Sequence, residues 1–285
     1  MDVVRELMER GFSRVTVLDG PECGAESPRL VLAFWLYEAA PETDVPEAVI
    51  HPYYPASQAA YRAAEAFCRD CQARGISLRQ ETHLRLKPIL NRLSFLSRGR
   101  NTLSYLPETG SRFHVQAFVS ETRFPVTDRL EETEHGLFCG SCRRCVEACP
   151  TGAIREGAFE KKQCLRWWML NGQTPPEEIR KKMGNRLLGC DACEACCPHN
   201  PPARGTQPVI PLKALITGEA DQTLSPLIGS NYAIPNRLRT QGCVMAESLK
   251  RGDLAPEIGR LAETTRSAVV REAAGNALRE LGVRS

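Results

Sequence analysis

The sequence predicts an α+β fold made of three consecutive segments, with boundaries near residues 135 and 205. Short apolar runs and one long amphipathic helix occupy the first segment, and cysteine is concentrated between residues 139 and 197. Helical apolar periodicity dominates after residue 205. Such changes of pattern mark separately packed segments. We therefore expect an N-terminal α/β domain (1–135), a small cysteine-rich domain (136–205) and a helical C-terminal segment (206–285).

The N-terminal segment should contain one short helix and three buried strands. A helix is predicted at residues 3–10, where Gly11 provides the end signal. Residues 14–18 and 29–37 are short apolar runs rich in β-formers, which indicates strands buried on both faces. Residues 113–119 predict a further strand that leads towards the cysteine-rich region.

A long helix is predicted at residues 57–74, and it places Cys68 and Cys71 on its apolar face. This C-x2-C pair could be redox-active, but core packing is favoured because free cysteine is among the most buried residue types. Cys23 and Cys243 stand alone in the sequence and are expected to be inert.

Two clusters of turn residues lie between residues 80 and 120. They are Gly-Arg-Asn-Thr at 99–102 and Pro-Glu-Thr-Gly-Ser at 107–111. Loops of this composition can offer backbone groups to a ligand. An ordinary surface turn is the favoured interpretation, because turn residues are common in every loop.

The cysteine-rich segment opens with Cys139, Cys142, Cys145 and Cys149, followed by Pro150. This C-x2-C-x2-C-x3-C-P spacing is that of bacterial ferredoxins, in which three thiolates bind one [4Fe–4S] cluster and the fourth binds a different cluster. The spacing therefore requires a second cysteine group. The chain supplies it as Cys164, Cys190, Cys193, Cys196 and Cys197, the last followed by Pro198.

The rule that the last cysteine of each motif crosses to the other cluster assigns the ligands. Cys197 is preferred over Cys196 because Cys149 and Cys197 both precede proline. The first cluster is expected to use Cys139, Cys142, Cys145 and Cys197. The second is expected to use Cys149, Cys164, Cys190 and Cys193.

Zinc and disulfides are the competing interpretations of these cysteines. Zinc is satisfied by four ligands and rarely uses a run of four cysteines with this spacing before proline. Disulfides suit small secreted domains, and no signal peptide is recognised at the N-terminus. Thirteen cysteines in an otherwise ordinary composition instead indicate metal loading in a reducing cytoplasm.

The C-terminal segment should be helical at residues 236–251 and 257–281, with a break at residues 264–267. Paired helices of this kind form one unit of a HEAT-like solenoid, which cannot bury its own apolar face. We expect it to pack on the rest of the chain.

Composition restricts the remaining function classes. A net charge of +3 is too small to indicate a nucleic-acid partner by itself. No apolar run approaches the length of about 20 residues that a membrane span needs. We expect a cytoplasmic monomer without a membrane partner.

In combination, these motifs resemble the cobalamin-dependent epoxyqueuosine reductases, which carry out the last step of queuosine synthesis in tRNA. The resemblance rests on the turns at 99–102 and 107–111, on Cys164 between the two cysteine groups, and on Gly-Asn-Arg at 184–186. It extends through the HEAT-like C-terminal segment. It implies a reductase in which two clusters pass electrons to a cobalamin, with a flavodoxin or ferredoxin-type donor and tRNA as a possible substrate. The cobalamin-binding residues that it implies are Ser104, Val115, Phe118, Arg166, Cys190 and Asp191.

The resemblance departs from the family at the proton donor. The family's acidic Asp corresponds by spacing to Gln80, and glutamine cannot act as a carboxylic acid. The neighbouring Glu81 is the candidate replacement, although a solvated loop residue is its favoured interpretation. The chain thus resembles a divergent member, with a different substrate as an open possibility. The alternatives are a non-catalytic two-cluster protein for electron transfer or cofactor maintenance, and a purely structural cluster protein.

Overall fold

A computed structural model describes residues 1–282, and these fold into two compact units that interleave along the sequence. The first unit comprises residues 1–38, 55–142 and 198–202, and the second comprises residues 39–54, 143–197 and 203–282. This division differs from the three consecutive segments expected. The segment 39–54 belongs with the cysteine-rich and C-terminal regions because it contributes a strand to their sheet.

The helices are α1 (Val3–Glu9), α2 (Tyr53–Ala73), α3 (Leu86–Leu90), α4 (Arg144–Ala148), α5 (Leu165–Asn171), α6 (Glu177–Arg180), α7 (Ala192–Ala195), α8 (Leu212–Thr217), α9 (Asp221–Ile228), α10 (Pro235–Ser248), α11 (Ala255–Thr264) and α12 (Ala268–Glu280). The strands are β1 (Arg14–Asp19), β2 (Arg29–Leu36), β3 (Ala48–Ile50), β4 (Arg79–Glu81), β5 (Ser97–Arg98), β6 (Ser104–Tyr105), β7 (Phe113–Ser120), β8 (Ile154–Arg155), β9 (Ala158–Phe159), β10 (Arg186–Leu187) and β11 (Val209–Ile210).

The first unit is built on a four-stranded sheet in the order β1-β2-β7-β4, and every neighbouring pair is antiparallel. The expected α/β arrangement of this region is therefore corrected to α+β. The physical reason is the connection between β1 and β2, which is too short for the crossover helix that parallel strands need. The predicted helix at 3–10 and the predicted strands are confirmed within a few residues.

The central strand β2 is buried on both faces, which explains its continuous apolar run. Val31 and Ala33 face a core shared with α1 and α2, in which Phe67 is fully buried. Leu30, Leu32 and Phe34 face a second core on the opposite side of the sheet. Period-two alternation places successive side chains on opposite faces, so a strand covered on both sides must be apolar throughout.

The second unit has one core, which the C-terminal helices share with the segments that carry cysteines. A small sheet joins β3 to β10 in parallel and to β11 in antiparallel pairing. Helix α10 packs against α8 and α12, and α11 packs against the same two helices. The buried residues of this core include Leu238, Val244 and Ala273. The predicted helix break is confirmed, since α11 ends at Thr264 and the Ser267 side chain caps α12 by accepting from the Val270 N–H.

Candidate iron–sulfur and cofactor site

Three thiols of the second unit lie within electrostatic reach of a fourth, that of Cys193. Cys149 ends α4, Cys164 precedes α5, Cys190 follows β10, and Cys193 lies within α7. Burial raises the pKa of the Cys193 thiol well above its usual value, and the charges of Cys190, Cys164 and Cys149 raise it further. These four are the ligands that the crossing rule assigns to the second cluster.

This donor set fits a cubane cluster better than a single ion. A [4Fe–4S] cluster takes four thiolates, each on its own iron atom. Within residues 1–282, no group of three or more His, Cys, Asp or Glu side chains is arranged to hold one metal ion. A buried thiol bound to iron is deprotonated by the metal, which offsets the cost of burying its charge.

The Cys149 sulfur is surrounded by backbone donors. The Ala153 N–H donates to its Sγ at 3.3 Å, and the Thr151 hydroxyl lies 3.7 Å from the same sulfur. Burial raises the pKa of this thiol, but hydrogen bonds from the backbone of Thr151, Ile154 and Ala153 outweigh burial and lower it. Hydrogen bonds to cluster sulfurs also raise the reduction potential by stabilising negative charge.

The remaining cysteines of the ferredoxin-like motifs are distributed over both units. Cys139 and Cys142 lie in a loop of the first unit, whereas Cys145 lies in α4 and Cys197 follows α7 in the second unit. Within the second unit α4 and α7 pack against each other. Each of these two helices begins one residue before a cysteine, which reflects the internal pseudo-repeat of the sequence.

Cys196 has a local role that differs from that of its neighbour. It ends α7, and its Sγ donates to the backbone carbonyl of Cys193 at 3.7 Å. This hydrogen bond gives the Cys196 thiol a role at the end of α7 that does not require binding to a cluster. Cys197 thus stays the predicted crossing ligand.

The turn at residues 99–102 holds the first cysteine loop within its own unit. The Arg100 backbone N–H donates to Cys139 Sγ at 3.3 Å, and its guanidinium donates to the carbonyls of Cys142 (3.2 Å) and Gly140 (3.0 Å). Position 99 must be glycine, because a Cβ there would lie 2.6 Å from the Tyr105 ring. This turn is therefore more than the ordinary surface turn favoured from sequence.

The turn at residues 107–111 contacts the segment that follows the second cysteine motif. The Ser111 N–H donates to Asn200 Oδ1 at 2.7 Å, and the Asn200 amide donates back to Ser111 Oγ at 3.1 Å. Both residues belong to the first unit. The turn thus has a specific structural partner, which composition alone did not indicate.

Residues 184–186 anchor the approach to Cys190. The Asn185 side chain donates to the carbonyls of Thr43 (2.9 Å) and Val45 (3.0 Å). Arg186 pairs with Glu42 at 2.6 Å and with Asp191 at 3.5 Å. Although burial lowers the pKa of Arg186, the Cys190 and Asp191 charges raise it overall. A cation is thereby held close to a thiolate of the second cluster site.

The residues implied for a corrin are divided between the units. Ser104 and Val115 are half-buried residues of β6 and β7 in the first unit. In the second unit, the Arg166 guanidinium lies 4.9 Å from the Tyr53 ring centroid, and Asp191 pairs with Arg186. Phe118 has another role: it is fully buried in the α2 core, with its ring edge-to-face on Phe67. Its contact with a cofactor stays a prediction.

Gln80 lies in a short chain of polar side chains on the first sheet. The Gln116 amide donates to Gln80 Oε1 at 2.9 Å, and Gln116 Oε1 lies 3.4 Å from His114 Nε2. Burial lowers the pKa of His114 to about 4, so its imidazole is neutral at pH 7. Sequence reasoning missed His114 and Gln116, whose only signal was two polar residues at alternate positions of an otherwise apolar strand.

Glu81 is engaged by the backbone that follows it. Its Oε1 accepts from the N–H groups of His83 (2.6 Å) and Leu84 (3.2 Å). The His83 hydrogen bond is the largest of the effects that lower the pKa of this carboxyl. Glu81 is therefore ionised at neutral pH. This geometry favours a turn-stabilising role, and its role as the catalytic acid stays a prediction.

The other cysteines are packed in cores. Cys71 is fully buried against α1 and the sheet, and Cys68 is half-buried beside it. Burial raises the pKa of Cys68 to about 11 and those of Cys23 and Cys243 to about 12. Such thiols stay protonated and unreactive at neutral pH.

The cysteine arrangement and the fold together define an iron–sulfur protein. Residues 138–200 match the family model of the 4Fe-4S double cluster binding domain. Among residues 1–282, no helix has the length and hydrophobicity of a membrane span.

Epoxyqueuosine reductases are homologues of this chain over its cluster region. The chain is 37% identical over 103 residues to epoxyqueuosine reductase of Bacillus anthracis, an alignment covering 36% of this chain and 26% of that protein. It is 33% identical over 116 residues to the Escherichia coli (strain K12) enzyme, covering 40% of this chain and 29% of that enzyme. The alignments thus span between a quarter and a third of these curated relatives.

The whole fold is shared with solved epoxyqueuosine reductases. One, crystallised with an epoxyqueuosine-modified tRNA-Tyr stem loop, aligns with a TM-score of 0.76 and 19% identity over 98% of this chain and 89% of that one. The Bacillus subtilis reductase aligns with a TM-score of 0.70 and 20% identity over 97% and 90% of the two chains. These homologues and structural neighbours are oxidoreductases, and the resemblance seen in the sequence is confirmed.

Proposed function

We propose that this chain is an iron–sulfur reductase of the epoxyqueuosine reductase type. It takes electrons singly from a flavodoxin or ferredoxin-type donor and passes them through two [4Fe–4S] clusters to a cobalamin. The observation that carries the proposal is the gathering of Cys149, Cys164, Cys190 and Cys193 in one unit, within the residues that match a double-cluster domain. The proposed ligands of the other cluster are Cys139, Cys142, Cys145 and Cys197.

The residues proposed to hold cobalamin suit the chemistry of a corrin. Its rim carries amides: in the first unit Ser104 offers a polar group and Val115 an apolar surface, and in the second unit Arg166 and Asp191 offer polar groups. Arg166 keeps its guanidinium on a tyrosine ring, which fixes the orientation of this long side chain. Bound cobalamin would supply a reducible cobalt centre for reductive chemistry on a carbon–oxygen bond.

The proposed substrate is the epoxyqueuosine precursor in tRNA. A reductase with this fold has been crystallised with an epoxyqueuosine-modified stem loop, which supports tRNA as the substrate class. Opening an epoxide requires a proton for the leaving oxygen. In this chain the position expected to supply it holds Gln80, and the neighbouring Glu81 is already ionised.

A second candidate function follows from the glutamine at position 80. A non-catalytic protein for electron transfer or cofactor maintenance would need the cluster ligands but no acid. The hydrogen bond between Gln116 and Gln80 gives residue 80 a neutral partner in a polar chain, which favours this alternative.

The test is conversion of epoxyqueuosine-containing tRNA by anaerobically purified protein with a strong reductant, with and without cobalamin. The proposal predicts conversion to queuosine only with cobalamin present, and a loss of conversion in Cys164→Ser. Retention of cobalamin after desalting, followed by its visible spectrum, separates the two candidates. No retained corrin and no conversion would favour the electron-transfer protein.

A further inference from the structure

The chain that leads from β10 to Cys190 passes through a buried residue with an unusual backbone. Leu188 is fully buried and has a φ of 68°, in the left-handed region that a leucine rarely adopts. Two residues later the chain reaches Cys190, a proposed ligand of the second cluster. Something in the surroundings must hold Leu188 in this conformation.

Two side chains satisfy both backbone polar groups of Leu188. Its N–H donates to Gln241 Oε1 at 2.9 Å, and its carbonyl accepts from the Tyr54 hydroxyl at 2.6 Å. Gln241 and Tyr54 are both buried. Because no water is needed to complete these bonds, their directions fix the peptide on each side of Leu188.

Gln241 also holds the segment that carries another ligand. Its Nε2 donates to the Met169 carbonyl at 2.9 Å, and Met169 lies in α5, the helix that begins immediately after Cys164. One buried amide on α10 therefore joins the backbone near Cys190 to the backbone near Cys164. The two segments are far apart in sequence.

The residue between Leu188 and Cys190 leaves no room for adjustment. A Cβ at Gly189 would lie 3.0 Å from the His51 Cβ and 3.2 Å from the Tyr54 ring. The same tyrosine that binds the Leu188 carbonyl thus also packs against the next residue. A shift of Tyr54 or Gln241 must move the chain that presents Cys190.

We propose that Gln241 and Tyr54 are positioning residues that set the geometry of the second [4Fe–4S] cluster. The C-terminal helical segment, through α10, is then part of the redox unit, since it supplies the amide that spaces Cys164 from Cys190. The inference rests on the second cluster of the proposed function. It does not depend on the substrate.

The test compares Gln241→Met with Val244→Ala, a matched change on the same helix. Methionine keeps the length of the side chain but removes both hydrogen bonds. Val244 is fully buried on α10 and its side chain has no polar atom, so its truncation loosens the same core without removing a hydrogen bond. The readouts are iron released to a chelator under anaerobic conditions and the electron paramagnetic resonance signal of the second cluster, assigned with Cys164→Ser.

Gln241→Met should weaken the binding of the four irons of the second cluster by about 10- to 100-fold. This is the usual effect on metal affinity of losing a group that orients a metal ligand. It should also shift the signal of the second cluster and leave the first unchanged. Tyr54→Phe, which removes only the hydroxyl, should show the same pattern more weakly, and it serves if Gln241→Met does not fold. Val244→Ala should lower thermal stability without altering either signal.

The inference is overturned if both hydrogen-bond variants keep wild-type iron retention and signals, or if Val244→Ala disturbs the second cluster equally. Wild-type protein that holds eight irons but does not convert tRNA would contradict the proposed reaction. It would not contradict the positioning role. Wild-type protein with only four irons and without the signal of the second cluster would contradict both.

Discussion

The backbone N–H of Arg100 points at the sulfur of Cys139, 3.3 Å away, while the side chain of the same arginine holds the carbonyls on either side of Ser141. One residue thus controls both the charge environment of a thiolate and the shape of its loop. A charged donor to a carbonyl is among the stronger hydrogen bonds in proteins.

Replacing Arg100 by alanine should loosen the first cysteine loop and leave the second cluster unchanged. The backbone donor to Cys139 remains, but two hydrogen bonds to the loop are lost, each worth about 1.5–3 kcal/mol because the donor is charged. We expect faster release of one cluster to a chelator under anaerobic conditions. Arg98→Ala is the matched control, since its guanidinium pairs with Glu134 and not with the cysteine loop. Equal release from both variants would contradict this role.

Cys197→Ser and Cys196→Ser should differ sharply. Cys197 is the proposed crossing ligand, so its replacement should reduce the iron content of the first cluster. Cys196 donates to the Cys193 carbonyl, and serine can make the same hydrogen bond. Iron analysis and the electron paramagnetic resonance signals of the clusters in both variants show which cysteine is the crossing ligand. Damage from Cys196→Ser alone would reverse the assignment of the crossing ligand.

The proton source is tested by Gln80→Asp and Glu81→Gln in the tRNA conversion assay. General acid catalysis contributes about 10²–10⁴ in rate, so wild-type protein without an acid should turn over slowly and Gln80→Asp should gain activity. Because backbone N–H groups hold Glu81 as a carboxylate, Glu81→Gln should change the rate little. A loss of about 10²-fold or more in Glu81→Gln would show instead that Glu81 supplies the proton.

His114 should make stability depend on pH between about 4 and 6.5. Burial lowers the pKa of His114, and the hydrogen bond to Gln116 offsets only part of this effect, so the pKa falls from 6.5 to about 4. In that window the unfolded chain binds the proton and the folded chain does not, so stability falls as the pH falls. Urea unfolding at several pH values checks this: His114→Gln should flatten the dependence of stability on pH between about 4 and 6.5. An unchanged slope would contradict the burial of a neutral imidazole.

Sequence predicted the elements whose pattern is local. The β2 run and the helix break before Ser267 follow from periodicity and capping, and the gathering of Cys149, Cys164, Cys190 and Cys193 follows from spacing. The antiparallel sheet and the membership of residues 39–54 did not follow, because strand pairing over long separations leaves no local signal. Gln241 was missed, since a single glutamine on an apolar helix face has no motif.

Iron and acid-labile sulfide analysis of anaerobically purified protein is the direct test of whether one chain holds two cubane clusters. We expect close to eight iron and eight sulfide per chain, four of each for the ligand set of each cluster. Values close to four iron and four sulfide per chain after full reconstitution would contradict it.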